Sequence, residues 1–262
     1  MHIDLNGKRA IVTGSTAGIG FAIAGGLAEA GAAVVINGRS EKSVVAAKAR
    51  LAQRLPQAKI DAVAADLASA DGAAAFIARA GEADILVNSL GIFETKPFAD
   101  ITDADWQRFF ETNVMSGVRL ARHYLPAMVE RDWGRIVFIS SESGLNIPVE
   151  MIHYGMTKTA QLAISRGLAE LVAGTGVTVN AVLPGPTRSQ GVADLLGRLW
   201  QDLPQEEREK RLIAQGRPTS IIRRLATPEE VANLVVYVCS PLASATTGAA
   251  LRVDGGVVRS IA

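Results

Sequence analysis

The sequence predicts an α/β fold, in which helices cover both faces of one doubly wound parallel sheet. Two observations carry this prediction: short apolar runs alternate with helix-length segments along the chain, and a glycine-rich turn joins the first apolar run to the first helix. With 262 residues, of which 48% are hydrophobic and 20% charged, the chain is long enough to bury a substantial core. We therefore expect a single domain over residues 1–262.

The first half of the chain repeats a strand, a turn and a helix. Its strands are expected at residues 9–13, 33–37, 59–64 and 84–88, and its helices at 19–30, 41–55 and 71–80. Gly31, Pro56 and Gly81 follow these helices, because glycine and proline readily end a helix. Since strands joined through helices run parallel, this half already predicts a parallel sheet.

The second half continues the alternation and then departs from it. Further elements are expected as a long helix at about 103–130, a strand at 135–140, a helix that carries Tyr154 and a strand at 177–183. The run Thr227-Pro228-Glu229-Glu230 predicts the start of another helix, because proline and acids are favoured in a first turn, and a last strand is expected at 250–253. Two short amphipathic segments, 191–203 and 206–215, interrupt the pattern. We interpret residues 190–222 as an insertion that forms a substrate lid over the strand ends.

Charge and composition exclude several classes of partner. The 27 lysine and arginine residues nearly balance the 26 acidic ones, so the sequence offers no electrostatic footprint for nucleic acid or an anionic membrane. The one cysteine, Cys239, cannot form an internal disulfide, and neither His2 nor His123 has partners for a metal site. The segment from Met1 to Lys8 has no apolar signal core, and no apolar run is long enough for a membrane span. We expect a cytoplasmic protein that acts on a small molecule without a metal.

The glycine-rich turn is the first candidate binding site. It reads Thr13-Gly14-Ser15-Thr16-Ala17-Gly18-Ile19-Gly20 and lies between the first strand and the first helix. Glycines let a ligand approach the backbone closely, so a pyrophosphate can sit on the amide groups at the helix start. The spacing departs from the dinucleotide fingerprint Gly-x-Gly-x-x-Gly, and such glycines also occur as simple turn residues. The position between strand and helix favours a dinucleotide site.

The end of the second strand bears on the type of dinucleotide. It reads Asn37-Gly38-Arg39-Ser40 and lacks the acid that would bind the ribose hydroxyls of NAD. Arg39 is suited to charge-assisted hydrogen bonds with a 2′-phosphate, and Ser40 is suited to assist it. The alternative is that Arg39 is a solvated turn residue. We favour NADP(H), with NAD(H) as the alternative.

Tyr154 and Lys158 form the candidate catalytic pair. They are four residues apart, so on a helix they share one face. A neighbouring cation favours the phenolate and is expected to lower the tyrosine pKa from about 10, which would make Tyr154 a general acid and base. The alternative is a solvated pair on the surface of an ordinary helix.

Four motifs together resemble the short-chain dehydrogenase/reductase family, of the type without a large extension. They are Thr13-Gly14-x3-Gly18-x-Gly20, Asn88-Ser89-Leu90-Gly91, Ser140-Ser141 and Tyr154-x3-Lys158. The resemblance spans the chain from Gly7 to Gly256 and includes members similar to β-ketoacyl carrier-protein reductases. It implies a Rossmann-type sheet of about seven strands. It also implies a homodimer or, more often, a homotetramer, built through the long helices around Asn113 and Tyr154 and the last strand.

The resemblance also assigns roles to individual residues. Ser141 would orient and polarise the substrate carbonyl or alcohol, with Ser140 and Ser143 as competitors, and Asn113 would help to hold a water that joins Lys158 to a proton relay. Lys158 would also hold the ribose hydroxyls. The remaining cofactor contacts would be Asp66 and Leu67 at the adenine, Asn88 and Gly91 along the cofactor, and Pro184, Gly185 and Thr187 at the nicotinamide carboxamide. The sequence departs from the family at Ser89-Leu90, where Asn-Ala is usual, and at Thr157, where serine is common.

The function expected from these residues is hydride transfer between NADP(H) and a carbonyl or secondary alcohol, with Tyr154 as general acid and base. The alternatives are an NAD⁺-dependent dehydrogenase of a polyol, sugar acid or hydroxysteroid and, in a different class, a dinucleotide-sensing regulator without turnover. Apolar residues that are candidates for the substrate wall are Phe93, Leu145, Ile147, Val149, Met151, Ile152, Leu195, Leu196, Leu199 and Trp200, together with His153. They suggest a moderately hydrophobic substrate.

Overall fold

The computed structural model describes residues 2–261 and contains one seven-stranded parallel sheet. Its strands are β1 (Arg9–Val12), β2 (Ala33–Gly38), β3 (Ile60–Ala64), β4 (Ile85–Asn88), β5 (Gly134–Ile139), β6 (Val177–Pro184) and β7 (Ala250–Val253). Their order across the sheet is β3-β2-β1-β4-β5-β6-β7, and every neighbouring pair is parallel. The predicted α/β class and doubly wound sheet are confirmed. The strand order reverses between β1 and β4, which is where such sheets open a crevice for a ligand.

Helices cover both faces of this sheet. They are α1 (Gly18–Glu29), α2 (Glu41–Arg54), α3 (Ala70–Ala80), α4 (Asp103–Phe110), α5 (Ser116–Glu130), α6 (Ile152–Leu171), α7 (Gln190–Leu199), α8 (Gln205–Arg211) and α9 (Pro228–Cys239). Helix α9 begins as its sequence predicts, because the Thr227 hydroxyl accepts a hydrogen bond from the Glu230 amide and the Glu230 carboxylate accepts one from the Thr227 amide. Within residues 2–261, none of the helices combines the length and the apolar character needed to cross a membrane.

The two faces of the sheet carry separate apolar cores. Along β1, Ala10 and Val12 pack into the cluster under α1 and α9, whereas Ile11 points the other way, into the cluster under α3 and α5. Successive side chains of a strand point to opposite faces, so a strand covered on both faces must be apolar throughout. This is why the strands read as continuous apolar runs in the sequence.

The predicted helix at 103–130 has the expected ends but changes its hydrogen-bond pattern in the middle. A π-helical turn, Glu111–Met115, separates α4 from α5. Two backbone carbonyl groups in this turn accept hydrogen bonds from side chains. The carbonyl of Thr112 accepts from the Ser116 hydroxyl at 2.6 Å, and the carbonyl of Asn113 accepts from the side-chain amide of Gln161 at 2.6 Å. Widened turns of this kind are frequent at functional sites.

Residues 190–222 contain two short helices. The amphipathic segment at 191–203 contains most of α7, which ends at Leu199, and the one at 206–215 corresponds to α8 followed by a second π-helical turn, Leu212–Gly216. Arg188, just before α7, forms an ion pair with Glu209 of α8 at 2.8 Å. This pair fixes the two short helices to each other.

Candidate active site

A cavity of about 670 Å³ opens at the carboxyl ends of the central strands. Its walls are the glycine-rich turn, the segments after β4, β5 and β6, the start of α6, and the segment 189–217. The predicted site residues that lie on its wall are Gly14, Gly18, Ile19, Gly20, Gly91, Ser141, Tyr154, Lys158, Pro184, Gly185 and Thr187. The topology thus brings the two ends of the predicted site, separated by most of the chain, into one cavity.

The other predicted site residues do not line this cavity. They are Ser15, Thr16, Arg39, Ser40, Asp66, Leu67, Asn88 and Asn113. Ser15 is fully buried, and its hydroxyl donates to the Val12 carbonyl at 2.6 Å. Leu67 packs into the apolar core under α3. These two side chains therefore support the site without facing it.

Close packing fixes the shape of the glycine-rich turn. A Cβ atom on Gly20 would lie 2.5 Å from the carbonyl oxygen of Gly14, so only glycine allows this approach. From β2, the amide of Asn37 donates to the Ser15 hydroxyl at 2.9 Å, and the Asn37 side-chain oxygen accepts from the Gly14 amide at 3.3 Å. The turn is therefore held against the end of β2, with its amide groups at the start of α1.

Two arginines lie near this junction. A Cβ atom on Gly38 would come within 2.5 Å of Thr16, so Arg39, the next residue, lies beside the turn. Arg39 is exposed, and no described residue pairs with its guanidinium. Arg50 of α2 donates to the Thr16 carbonyl at 2.5 Å. The glycine-rich motif does not indicate this second cation, because Arg50 lies on α2, 34 positions after Thr16.

Ser141 and its neighbours follow directly after β5. The Ser140 hydroxyl donates to the Lys158 carbonyl at 2.8 Å, which ties the strand end to α6. The Ser141 hydroxyl accepts from the Ser143 amide at 3.1 Å and contacts the Tyr154 phenol. Of the three serines, Ser141 is therefore the one positioned beside the tyrosine.

Tyr154 and Lys158 share one face of α6, as their spacing predicts. The Lys158 Nζ atom lies 5.5 Å from the centre of the Tyr154 ring. It donates to the Ile139 carbonyl at 2.9 Å and to the side-chain oxygen of Gln161 at 3.3 Å. Phe93 packs edge-on against the tyrosine, with ring centres 6.3 Å apart. The pair is thus enclosed by β5, α6 and the segment after β4.

The expected direction of the Tyr154 pKa is wrong. Burial raises the pKa of Tyr154 to about 12, and the hydrogen bond with Ser141 only partly opposes this shift. Burial also lowers the pKa of Lys158 to about 7, so the cation that was expected to favour the phenolate is itself destabilised. Both shifts follow from the cost of placing a charge in a poorly solvated site. The chain by itself therefore keeps the phenol protonated at neutral pH.

Asn113 is buried and hydrogen-bonded on every side. Its side-chain oxygen accepts from the Ile92 amide at 2.8 Å, and its side-chain nitrogen donates to the Ile92 carbonyl and to the Thr157 hydroxyl, both at 3.0 Å. Thr157, at a position where serine is common, therefore uses its hydroxyl to hold the Asn113 side chain. Gln161 bridges the Asn113 carbonyl, at 2.6 Å, and the Lys158 ammonium. Gln161 was not identified from the sequence as a site residue, although its position three residues after Lys158 puts it on the same helix face.

An ion pair on the cavity wall was also missed. Glu142, next to Ser141, accepts from Nε of Arg217 at 2.7 Å and from the Ser143 hydroxyl at 3.0 Å. Burial raises the pKa of Glu142, and the Arg217 guanidinium opposes this shift. The two residues are 75 positions apart, so nothing in the local sequence pairs them.

The predicted substrate wall is correct in part. Phe93, Met151, Leu195, Leu199 and Trp200 line the cavity. Leu145, Ile147, Val149, Ile152, His153 and Leu196 do not. His153 is fully buried behind the site, with its ring centre 4.1 Å from that of Phe109. Within residues 2–261, acidic, histidine and cysteine side chains form no group of three that could hold a metal ion.

Comparisons with known proteins give a consistent result. The family model described as enoyl-(acyl carrier protein) reductase matches residues 14–258. The chain is 51% identical to the uncharacterized oxidoreductase YvaG of Bacillus subtilis, over the full length of both proteins. It is 36% identical to the 3-oxoacyl-[acyl-carrier-protein] reductase FabG of Aquifex aeolicus, over 98% of this chain and 100% of that protein. The solved structure of L-sorbose reductase from Gluconobacter frateurii, complexed with NADPH and L-sorbose, has a TM-score of 0.93 and 31% identity, and the match covers 100% of both chains.

Proposed function

The chain belongs to the short-chain dehydrogenase/reductase family, and on this premise we propose that it is an NADP(H)-dependent oxidoreductase of carbonyls or secondary alcohols. One observation carries the proposal: Ser141, Tyr154 and Lys158 share the wall of the cavity whose other wall is the glycine-rich turn. A ligand bound along that turn reaches the hydroxyl pair of Ser141 and Tyr154. The catalytic and binding roles of these residues are part of the proposal.

The turn fits a dinucleotide on structural grounds. Gly20 leaves room for a close backbone approach, and the amide groups at the start of α1 suit a pyrophosphate. Arg39, free of other partners among the described residues, would bind a 2′-phosphate, while Lys158 would hold ribose hydroxyls. Pro184, Gly185 and Thr187 would hold the nicotinamide end, since they line the same cavity after β6. When bound, the nicotinamide supplies or accepts the hydride.

The protein's own part in reduction is to supply one proton and to orient the carbonyl. Tyr154 would give its proton to the carbonyl oxygen, and Ser141 would donate a hydrogen bond to the same oxygen. The raised pKa of Tyr154 suits this direction, because it keeps the phenol protonated until it is needed. In oxidation both steps run backwards, and Tyr154 then takes the proton of the alcohol.

The Tyr154→Phe variant tests this role. We expect it to lose at least ~10²-fold in turnover while it still binds NADPH. Tyr124→Phe is the matched control, because Tyr124 lies on α5 outside the cavity and its buried hydroxyl has no hydrogen-bond partner among the described residues. Near-normal turnover of Tyr154→Phe would remove the acid/base role of Tyr154, whereas a wild type that binds NADPH but turns over no ketone or alcohol would favour a regulator without turnover.

The cofactor preference is tested by titration with NADPH and NADH. We expect NADPH to bind at least about tenfold more tightly, a difference of about 1.4 kcal/mol, and Arg39→Ala to remove most of that difference. Lys48→Ala serves as the control, because Lys48 is an exposed cation on α2, the helix that follows Arg39 and Ser40. Equal binding of the two cofactors by the wild type would contradict the proposed preference and favour the NAD⁺-dependent alternative.

A second candidate is a reductase or dehydrogenase of polyols and ketoses. It is favoured by the match to L-sorbose reductase, which covers the whole chain, and by the charged pair on the cavity wall. Residues 190–222 would act as the substrate lid, since α7 and the segment after α8 contribute Leu195, Leu199 and Arg217 to that wall. The cytoplasmic location and the homotetramer or homodimer stay predictions; sedimentation of the purified protein tests the latter.

A further inference from the structure

Glu142 and Arg217 form an ion pair on the same cavity wall as Tyr154. Arg217 follows the second π-helical turn, and only 13% of its side chain is exposed, against 3% for Glu142. Nε of Arg217 donates to Glu142 and Nη1 donates to the Gly216 carbonyl at 2.7 Å. No described residue accepts a hydrogen bond from Nη2. The guanidinium therefore keeps one donor group for whatever fills the cavity.

The charge of this donor is already balanced. Glu142 lies 2.7 Å from Arg217, so the pair presents a hydrogen-bond donor without a net positive charge. Glu142 itself has both oxygens engaged, one with Arg217 and one with Ser143, and is almost fully buried. On the same wall Thr95 and Gln215 are neutral, Glu150 adds a second carboxylate, and Lys158 is the one other basic residue that the structure describes there. The wall therefore offers hydrogen bonds rather than a field that attracts anions.

From these observations we infer that the substrate is a neutral hydroxylated ketone, or the corresponding polyol, with a hydroxyl oxygen that accepts a hydrogen bond from Nη2 of Arg217. This inference rests on the proposed oxidoreductase function and narrows its substrate class. Arg217 is the specificity-determining residue, and Glu142 is a positioning residue that orients Arg217 and cancels its charge.

Two other substrate classes fit this wall less well. An unsubstituted ketone would take water away from Nη2 without replacing its hydrogen bond, and leaving a buried donor unpaired is costly. An anionic ketone would replace that bond but would also place its charge near the Glu142 carboxylate, where like charges repel. A hydroxyl group replaces the hydrogen bond without bringing a charge.

The test compares three ketones on a four-carbon skeleton: 2-butanone, 1,3,4-trihydroxy-2-butanone and acetoacetate. We expect kcat/KM with NADPH to be at least about tenfold higher for the trihydroxy ketone than for either of the others. Arg217→Met should reduce this preference over 2-butanone to about threefold or less. Arg198→Met is the matched control, because Arg198 lies on α7 but not on the cavity wall.

Glu142→Gln separates recognition from a structural effect. Glutamine keeps an oxygen that accepts from Arg217 but removes the negative charge, so the Arg217 charge is no longer balanced. We expect acetoacetate to gain at least about tenfold relative to the trihydroxy ketone in this variant. A merely structural role of Glu142 would lower kcat/KM for all three ketones equally. That result would overturn the inference, even if Arg217→Met fails to fold.

The outcomes distinguish the inference from the function on which it rests. If the wild type reduces 2-butanone as well as the trihydroxy ketone, or prefers acetoacetate, the substrate class is wrong while the oxidoreductase function stands. If no ketone oxidises NADPH and no corresponding alcohol reduces NADP⁺, the proposed function is wrong, and the inference fails with it.

Discussion

Gln161 provides the sharpest prediction about the proton chemistry of the site. Its side chain is 1% exposed and joins the Lys158 ammonium to the carbonyl of Asn113. Because its oxygen accepts from the ammonium, it favours the charged form of a lysine whose pKa burial lowers to about 7. Gln161→Leu removes this acceptor, whereas Gln161→Glu replaces it with a carboxylate. The two variants should therefore move the Lys158 pKa in opposite directions.

The expected magnitudes follow from the two hydrogen bonds. A bond to a charged group contributes about 1.5–3 kcal/mol and a neutral one about 1 kcal/mol, so Gln161→Leu should lower the free energy of unfolding by roughly 2–4 kcal/mol. Since a tenfold change in a protonation equilibrium is about 1.4 kcal/mol, loss of the charged bond should move the Lys158 titration down by about one pH unit or more. Gln161→Glu should move it up by at least as much.

The assay is the pH dependence of kcat/KM for NADPH-dependent ketone reduction. The limb that reports loss of the Lys158 proton should shift to lower pH in Gln161→Leu and to higher pH in Gln161→Glu, relative to the wild type. Gln57→Leu, at an exposed position, controls for loss of an amide elsewhere. If both variants shift the limb in the same direction, or lose activity without any shift, Gln161 only holds the structure and the reasoning is refuted.

Three further predictions concern burial and close packing. Because the folded state binds fewer protons at Lys158 than the unfolded chain, whose lysine pKa is about 10.4, its contribution to the free energy of unfolding rises from about pH 7 to pH 10; thermal unfolding of Lys158→Met should lack this rise. Gly20→Ala should weaken NADPH binding at least about tenfold, since its Cβ would meet the Gly14 carbonyl at 2.5 Å, whereas Gly167→Ala, with nothing within 4 Å, should leave binding unchanged. Burial raises the pKa of Cys239 to about 12, so at pH 8 Ellman's reagent should react with it only after denaturation.

The fold was predictable because its signals are local and repeated. The central strand β1 is apolar on both faces, as Ala10, Ile11 and Val12 show, and β1, β2 and β3 are each followed by a segment long enough for a helix. Ser40 caps α2 and Thr227 caps α9, because the side chain of each accepts a hydrogen bond from the first turn of its helix. Such features depend on neighbours within a few positions, and a sequence displays them directly.

The features that were missed depend on residues far apart in the chain. The spacing of Tyr154 and Lys158 shows that they share a helix face, but not how deeply β5 and the segment after β4 bury them, so the direction of the Tyr154 pKa was predicted wrongly. In the π-helical turn, the Asn113 carbonyl accepts a hydrogen bond from Gln161 of α6. The sequence of α4 and α5 does not contain this partner, so it does not predict the turn. The Tyr154 pKa and the π-helical turn both depend on how separate helices and strands pack against each other, which residue type alone does not show.

The segment from Ser140 to Ser143 links Tyr154 to Arg217 through adjacent residues. Ser140 is bound to α6, Ser141 lies beside Tyr154, Glu142 holds Arg217, and Ser143 bonds to both Ser141 and Glu142. The Ser143 hydroxyl donates to Glu142 and the Ser143 amide donates to the Ser141 hydroxyl, so we expect a shift of Arg217 that moves Glu142 to reach the Ser141 hydroxyl through Ser143. A substrate that engages Arg217 therefore acts on the position of Ser141 as well as on binding. For this reason we expect loss of the Arg217 contact to lower kcat together with raising KM, which a contact that served binding alone would not do.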